Sequence, residues 1–179
     1  MTLRSTLAPV ITGTRNECGS LHIRMIEKVM NDQLVEDLNE FSASRVPGQL
    51  GMEILEAGRE GVVARLRVTP PMIMGYGFVI AAVVVGLADT ACGYGVGPYL
   101  EQGEGFTTIE LKMNFLGSAR AGETIVARAT PAHVGRTTHV WDAVVENETT
   151  GRTIALFRAT QLILRPDSSP RAASPDAAG

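Results

Sequence analysis

Between residues 68 and 100 the chain carries one charged side chain, Asp89. Within that stretch, residues 79–93 are apolar at almost every position, which is the composition of a helix without a polar face. Such a helix must be covered on most sides before it is stable in water. The run 72–88 also approaches the hydropathy of a membrane span. Against a span stand the interruptions at Gly75 and Gly77, the lack of a flanking Lys/Arg cluster, and strand-like alternation on either side. The expectation is a buried helix in a globular protein, with no membrane partner.

The flanking segments supply the cover. Residues 52–56 and 61–68 read as a hairpin around Ala57-Gly58-Arg59-Glu60-Gly61. Val63, Arg65 and Arg67 alternate there with Val62, Ala64, Leu66 and Val68. Thr69-Pro70-Pro71 closes the hairpin and leads into a glycine-broken apolar loop, 72–78. Beyond the helix come four strand candidates: 107–116, 124–130, 138–145 and 153–164. In the first, Ile109, Leu111, Met113 and Phe115 face one way and Glu110, Lys112 and Asn114 the other. Their short connections suit antiparallel pairing, because parallel neighbours need long crossovers. The fold class expected is α+β, a curved antiparallel sheet wrapped around one long buried helix. One sheet and one helix make a small core with an open edge, so a homodimer or homotetramer is expected to complete it.

Ahead of this unit, residues 21–41 read as an extra, amphipathic N-terminal helix through Ile23, Ile26, Val29, Met30, Leu34 and Leu38, stopped by Val46-Pro47-Gly48. Residues 1–20 read as loosely ordered. The division expected is an N-terminal extension over 1–45, a main domain over 46–165 and a disordered Ser/Pro/Ala tail over 166–179. No internal repeat is visible.

Composition removes several classes of function. The 179 residues are 45% hydrophobic and 20% charged, which suits one compact domain. Sixteen Lys and Arg against 19 Asp and Glu leave a net charge of −3, the wrong balance for a nucleic-acid partner. Cys18 and Cys92 lie far apart, which excludes a disulfide framework and, with no apolar signal segment in the first twenty residues, points to the cytoplasm. His22, His133 and His139 form no ligand spacing and CxxC is absent, so no metal site is expected.

Asp89 is the most informative residue. A carboxylate on an apolar helix is costly to bury, and burial raises its pKa unless donors compensate. It reads either as a general base or nucleophile beside an apolar pocket or as a cap on a neighbouring loop. Cys92, three residues on, reads as a small buried hydrophobe. At the helix start, the N–H groups of residues 78–82 have no intrahelical acceptor and could hold a developing oxyanion. His133 and His139 read as surface strand residues and Trp141 as packing.

Leu87-Ala88-Asp89-Thr90-Ala91-Cys92-Gly93, then Thr107-Thr108-Ile109-Glu110-Leu111-Lys112-Met113-Asn114-Phe115-Leu116, then Ala121-Gly122-Glu123 resemble the hotdog-fold acyl-CoA thioesterases. The branch they are most similar to is the phenylacetic-acid-degradation (PaaI-like) one, with the related 4-hydroxybenzoyl-CoA thioesterases. The resemblance covers residues 51–164. In that family the helix motif is His-Gly-Gly, six residues, then Asp or Glu. Carried over by spacing, the acid falls on Asp89 and the His-Gly-Gly positions on Ile80, Ala81 and Ala82. The sequence therefore keeps the acid and lacks the histidine. A family Asn six residues earlier falls on Met74, and a Ser or Thr beyond the acid on Gly93, while Gly77 matches.

The resemblance implies hydrolysis of an acyl-CoA thioester to free acid and coenzyme A. Asp89 would be base or nucleophile, with the Ala81 N–H on the oxyanion. Met74, Tyr76, Phe78, Ile80, Ala82, Thr90 and Gly93 would meet the acyl group, and the Gly135-Arg136-Thr137 turn the coenzyme A arm. No cofactor is implied beyond the coenzyme A thioester, which is substrate. The alternative is a non-catalytic acyl-CoA-binding protein that has lost the family His and Asn. A dehydratase on the same fold would need a histidine paired with the acid, and no histidine precedes Asp89 except His22, outside the region of resemblance.

Overall fold

The computed structural model describes residues 15–166, with side chains from residue 27 onward. In chain order the elements are α1 (Arg15–Ala43), α2 (Val46–Gln49), β1 (Met52–Gly58), β2 (Gly61–Arg67), β3 (Ile73–Met74), β4 (Phe78–Val79), α3 (Ala81–Val96), β5 (Gly105–Phe115), β6 (Thr124–Val134), β7 (Thr138–Asn147) and β8 (Arg152–Leu164). Six strands form one sheet in the order β1-β2-β6-β7-β8-β5, with every neighbouring pair antiparallel. The expected α+β arrangement is present: the sheet curves around α3 and an extra helix precedes it.

Small side chains let the sheet come close to the helix. Ala64, Ala127, Ala129, Ala143 and Ala159 share one buried cluster with Val84, Leu87, Ala88, Ala91 and Cys92 of α3. Trp141 fills the space beneath the C-terminal half of the helix and is wholly buried. Its ring lies so close to Gly95 that an added Cβ would stand 2.4 Å from it. The stretch from Ala81 to Tyr99 has the length and apolarity of a membrane-crossing helix; in this fold its apolar side is taken up by the sheet.

Three boundaries differ from the sequence reading. The N-terminal helix begins at Arg15, so residues 15–20 are helical, whereas residues 1–14 and 167–179 lie outside the described residues. Val46-Pro47-Gly48 does not end that helix: Pro47 sits in the first turn of α2, a position where a missing N–H costs nothing. The break falls at residues 44–45, and Gly48 packs so close to the Ser42 carbonyl that a Cβ there would clash at 2.4 Å. The β1–β2 connection is also tighter than the five residues expected, with Gly58 already paired to Gly61.

Helix α1 covers one sheet edge. Asn39 lies against edge strand β1, its Nδ2 donating to the Ile54 carbonyl and its Oδ1 accepting the Ile54 N–H, both at 2.9 Å. The side-chain amide thus occupies the place of a neighbouring strand where β1 is bulged, which blunts the edge. Leu34, Val35 and Leu38 pack on the core, and the Ser42 hydroxyl meets the Tyr94 hydroxyl at 2.7 Å. Val29 and Met30, expected on the apolar face, are exposed because this turn of α1 presents Asn31 rather than them to the sheet, with the Asn31 amide against Gly58 of β1. The Ala121-Gly122-Glu123 segment is a structural bolt: the Glu123 carboxylate accepts the Arg120 N–H at 2.7 Å and the Asn147 amide at 2.8 Å.

Gly95→Ala is expected to cost about 1–3 kcal/mol, the usual penalty of overpacking, because a rigid indole rather than a flexible chain end receives the methyl. A urea denaturation midpoint equal to that of the parent protein would contradict this.

Candidate active site

The sheet covers only one side of α3. Val83, Val84, Leu87, Ala88, Ala91 and Cys92 are buried, whereas Ala81 and Ala82 are exposed and Val85, Gly86, Asp89 and Thr90 are half-buried. Residues 82, 85, 86 and 89 fall on one face at helical spacing. Asp89 therefore stands on the one stripe that the sheet leaves open, beside edge strand β5. Burial pushes its carboxyl pKa up, and a hydrogen bond from Thr108 partly opposes the rise.

Thr108 is the residue that sequence periodicity misplaced. Simple alternation along β5 puts it on the outer face with Glu110. The pairing with β8 slips between Thr108 and Glu110, so that Thr108 faces Gln161 and Glu110 faces Thr160. Ile109 is the bulged residue and is 55% exposed. The bulge turns Thr108 inward with Leu111 and Met113, and its Oγ1 comes within 3.2 Å of Asp89 Oδ1 and 3.0 Å of Gln161 Oε1. Bulges re-aim a side chain in this way beside functional sites. No periodic signal in the sequence could have revealed it.

The helix begins at Ala81, with Ile80 at the N-cap in extended conformation, and of the donors expected free over 78–82 the Val79 N–H donates to the Ala119 carbonyl and the Ile80 N–H to the Met72 carbonyl, both at 2.8 Å. An isoleucine offers no oxygen to the first turn, and no side-chain cap is formed. A Ser, Thr or Asp cap would be worth about 0.5–2 kcal/mol. The chain forgoes it, which leaves the first N–H groups, those of Ala81 and Ala82, without a side-chain acceptor at the exposed helix end. From Ala81 to Asp89 the axial rise is about 12 Å, too far for both to act on one carbonyl group from the same chain.

The expected substrate residues separate into groups. Met74, Tyr76 and Phe78 lie on the β3–β4 hairpin, whose tip Gly75-Tyr76-Gly77 leaves Tyr76 94% exposed. Gly77 has φ +80°, and the Arg120 guanidinium stacks 4.6 Å from the Phe78 ring. In a single chain these side chains form a projecting apolar rim rather than a closed wall. Thr90 borders Asp89 on the open stripe. Gly93 is buried instead, where an added Cβ would meet the Phe106 ring at 3.3 Å. Cys92 is buried and its thiol pKa is raised, chiefly by desolvation, so the thiol stays neutral.

The Gly135-Arg136-Thr137 turn joins β6 to β7 away from the β3–β4 rim. Gly135 and Arg136 line a cavity of about 440 Å³ with Tyr99, Glu104, His139 and Arg165. His139, expected on the strand surface, is 3% exposed, because β7 directs it inward on the same face as Trp141. Among the described residues no group of three or more His, Cys, Asp or Glu could hold a metal ion.

The sequence model of the Thioesterase superfamily matches residues 76–154, which takes in Tyr76 and Phe78 of the rim, α3, the bulge and the β6–β7 turn. Acyl-coenzyme A thioesterase PaaI of Escherichia coli is 31% identical over 109 residues, spanning 61% of this chain and 75% of that protein. The 1,4-dihydroxy-2-naphthoyl-CoA hydrolase of Listeria monocytogenes is 31% identical over 100 residues, 56% of this chain and 80% of the relative. This chain belongs to the thioesterase superfamily. A solved thioesterase of Haemophilus influenzae superposes with a TM-score of 0.68 at 27% identity, covering 73% of this chain and 90% of that one. The PaaI protein of E. coli superposes with a TM-score of 0.66 at 26% identity, over 74% and 94% of the two chains. The thioesterase thus has the hotdog fold that its helix and strand motifs imply.

The raised pKa of Asp89 sets a sign for stability. A carboxyl whose folded pKa exceeds its unfolded value stabilises the fold while protonated, and that contribution is lost as pH rises through the folded value. Asp89→Asn is therefore expected to make the thioesterase more stable than the parent near neutral pH. The gap should close as pH falls into the ordinary carboxylate range, which thermal unfolding across a pH series would follow.

Proposed function

We propose that this chain hydrolyses an acyl-CoA thioester to a free acid and coenzyme A, with Asp89 as general base or nucleophile. The observation that carries this reading is the half-buried, pKa-raised carboxylate on the open stripe of α3, held by Thr108. Acting as base, Asp89 takes a proton from water as the oxygen attacks the thioester carbon. The carbon–sulfur bond then breaks, and the leaving thiolate recovers the proton. A positioned general base contributes about 10²–10⁴-fold to rate. No cofactor is called for, and a cytoplasmic location belongs to the same reading.

The oxyanion falls to the Ala81 N–H, supported by the uncapped helix start. Because about 12 Å of helix separates Ala81 from Asp89, the acid of one copy must work with the Ala81 N–H of another. The reading therefore includes a homodimer or homotetramer with the reaction centre between chains. Two features support it: β5 is an edge strand with no neighbour beyond it, and its Leu111 and Phe115 are exposed although they lie on the helix-facing side. Met74, Tyr76 and Phe78 from the projecting rim would then close over the acyl group. Arg136, exposed at the β6–β7 turn, would meet a coenzyme A phosphate. Residues 46–165 form the catalytic domain on this reading, and 1–45 its extension.

Thiol release from a panel of aliphatic and aromatic acyl-CoAs tests the assignment. Release is expected for the parent protein, with kcat/KM rising with pH as Asp89 ionises, and a loss of about 10²-fold or more in Asp89→Asn. Saturable binding without release would sink the proposal and leave an acyl-CoA-binding protein, the reading favoured by the apolar Ile80 and Met74 at the positions where the motif of the resembled family has His and Asn. Unchanged release in Asp89→Asn would remove Asp89 from the mechanism.

A further inference from the structure

Gln161 lies on β8 directly behind the candidate site, and the hydrolysis described above does not use it. It is wholly buried and faces Thr108 in the β5–β8 register. Thr108 Oγ1 stands between two oxygens, 3.0 Å from Gln161 Oε1 and 3.2 Å from Asp89 Oδ1. A hydroxyl carries one hydrogen, whereas an amide oxygen and an ionised carboxylate can only accept. Thr108 therefore cannot donate fully to both neighbours. The two acceptors differ in what else can reach them. Asp89 is half-buried on the open stripe of α3, where water can serve its carboxyl. Gln161 Oε1 has no access to water, and an acceptor left unpaired in such a place is costly.

The protonation state of Asp89 decides whether both contacts hold. A protonated Asp89 donates to Thr108 and Thr108 donates to Gln161, so one unbroken run of hydrogen bonds joins the three side chains. Ionisation of Asp89 removes the first hydrogen. If the carboxylate then draws the Thr108 hydrogen to itself, Gln161 Oε1 is stranded. If Thr108 stays with Gln161, the carboxylate has lost its donor. Either way one bond of the run is given up, and ionisation is opposed. Desolvation of Asp89 acts in the same direction.

We infer that Gln161 is a positioning residue that holds Asp89 in its protonated form through Thr108, and so sets the pH at which the carboxylate becomes a base. This role rests on the reading of Asp89 as the working carboxylate. A carboxylate that is harder to ionise is the stronger base once ionised. The other ionisable groups around α3 leave the role to Gln161. Cys92, on α3 itself, is held neutral by burial. His139, across from Gln161 on β7, has its pKa lowered chiefly by desolvation. Glu110 lies beyond the bulge of β5, 3.2 Å from Thr160 Oγ1. On the far face of the sheet the charges are paired as Arg65–Glu53, Arg128–Glu146 and Arg158–Asp142.

Carbon-13 NMR of the Asp89 carboxyl across pH, assigned with Asp89→Asn, reads the effect without substrate. In Gln161→Leu the Asp89 acid dissociation constant is expected to rise by about two- to tenfold, one ordinary hydrogen bond written as an equilibrium constant. The sign is diagnostic, because a less polar neighbour acting by desolvation alone would lower that constant. The variant should fold, since the Nε2 it removes is buried without a hydrogen-bond partner; Gln161→Met repeats the measurement with an unbranched chain. In a Thr108→Val background the same change should leave Asp89 unmoved. A constant that falls or stays put in Gln161→Leu overturns the inference, a fall being the result of an amide turned end for end with Nε2 donating to Thr108. An equal rise with and without Thr108 overturns it as well. These readings stand whether or not thioesters are turned over. Where turnover is found, the acid limb of kcat/KM should move to lower pH in Gln161→Leu by the same factor.

Discussion

The close approach of α3 to the sheet is the constraint on which everything else in this molecule depends. Trp141 packs closely against Gly95, and a row of alanines on the sheet lets the apolar side of the helix settle against β2, β6, β7 and β8. This contact fixes the rotation of α3 about its axis. Once Leu87, Ala88, Ala91 and Cys92 face the sheet, helical spacing leaves residues 82, 85, 86 and 89 on the opposite side. Asp89 owes its position on the open stripe to that rotation, and its raised pKa to the fact that the stripe remains half-covered.

The chemistry of the site comes from two places where the regular fold gives way. At the helix start, Ile80 in the N-cap position leaves the first turn uncapped, so local stability is lower and backbone donors stay open. On β5, the bulge at Ile109 interrupts the ladder and delivers a hydroxyl to the carboxylate. Both departures lie along the open side of α3, and both add polar function to a surface that is otherwise apolar. Behind Thr108, Gln161 and His139 are buried cross-strand neighbours, and His139 borders a cavity beyond them.

Much of this was legible from residue order, for identifiable reasons. The run 79–93 called for a buried helix because it has no polar face, and α3 occupies 81–96, while the alternation in residues 61–67 survives as buried and exposed positions of β2. Asp89 stood out because a lone carboxylate in such a run is costly. Other features escaped. Val29 and Met30 keep helical spacing but point away from the sheet where Asn31 meets it, and His139 differs from an ordinary strand surface residue only in which way β7 faces. Thr108 was hidden because a one-residue bulge reverses the face of every residue before it.

The sequence by itself determined the helix that must be buried, the antiparallel strands that could bury it, and the acid at their junction, since these follow from composition and period within short windows. Only the tertiary structure decided which partners that acid meets. Register, bulge position and helix rotation are set by long-range packing, and a shift of one residue in β5 exchanges Thr108 for a different neighbour. The same packing left Ala81 and Asp89 two turns apart on one rigid helix, the first at its exposed start and the second on the stripe that the sheet leaves open.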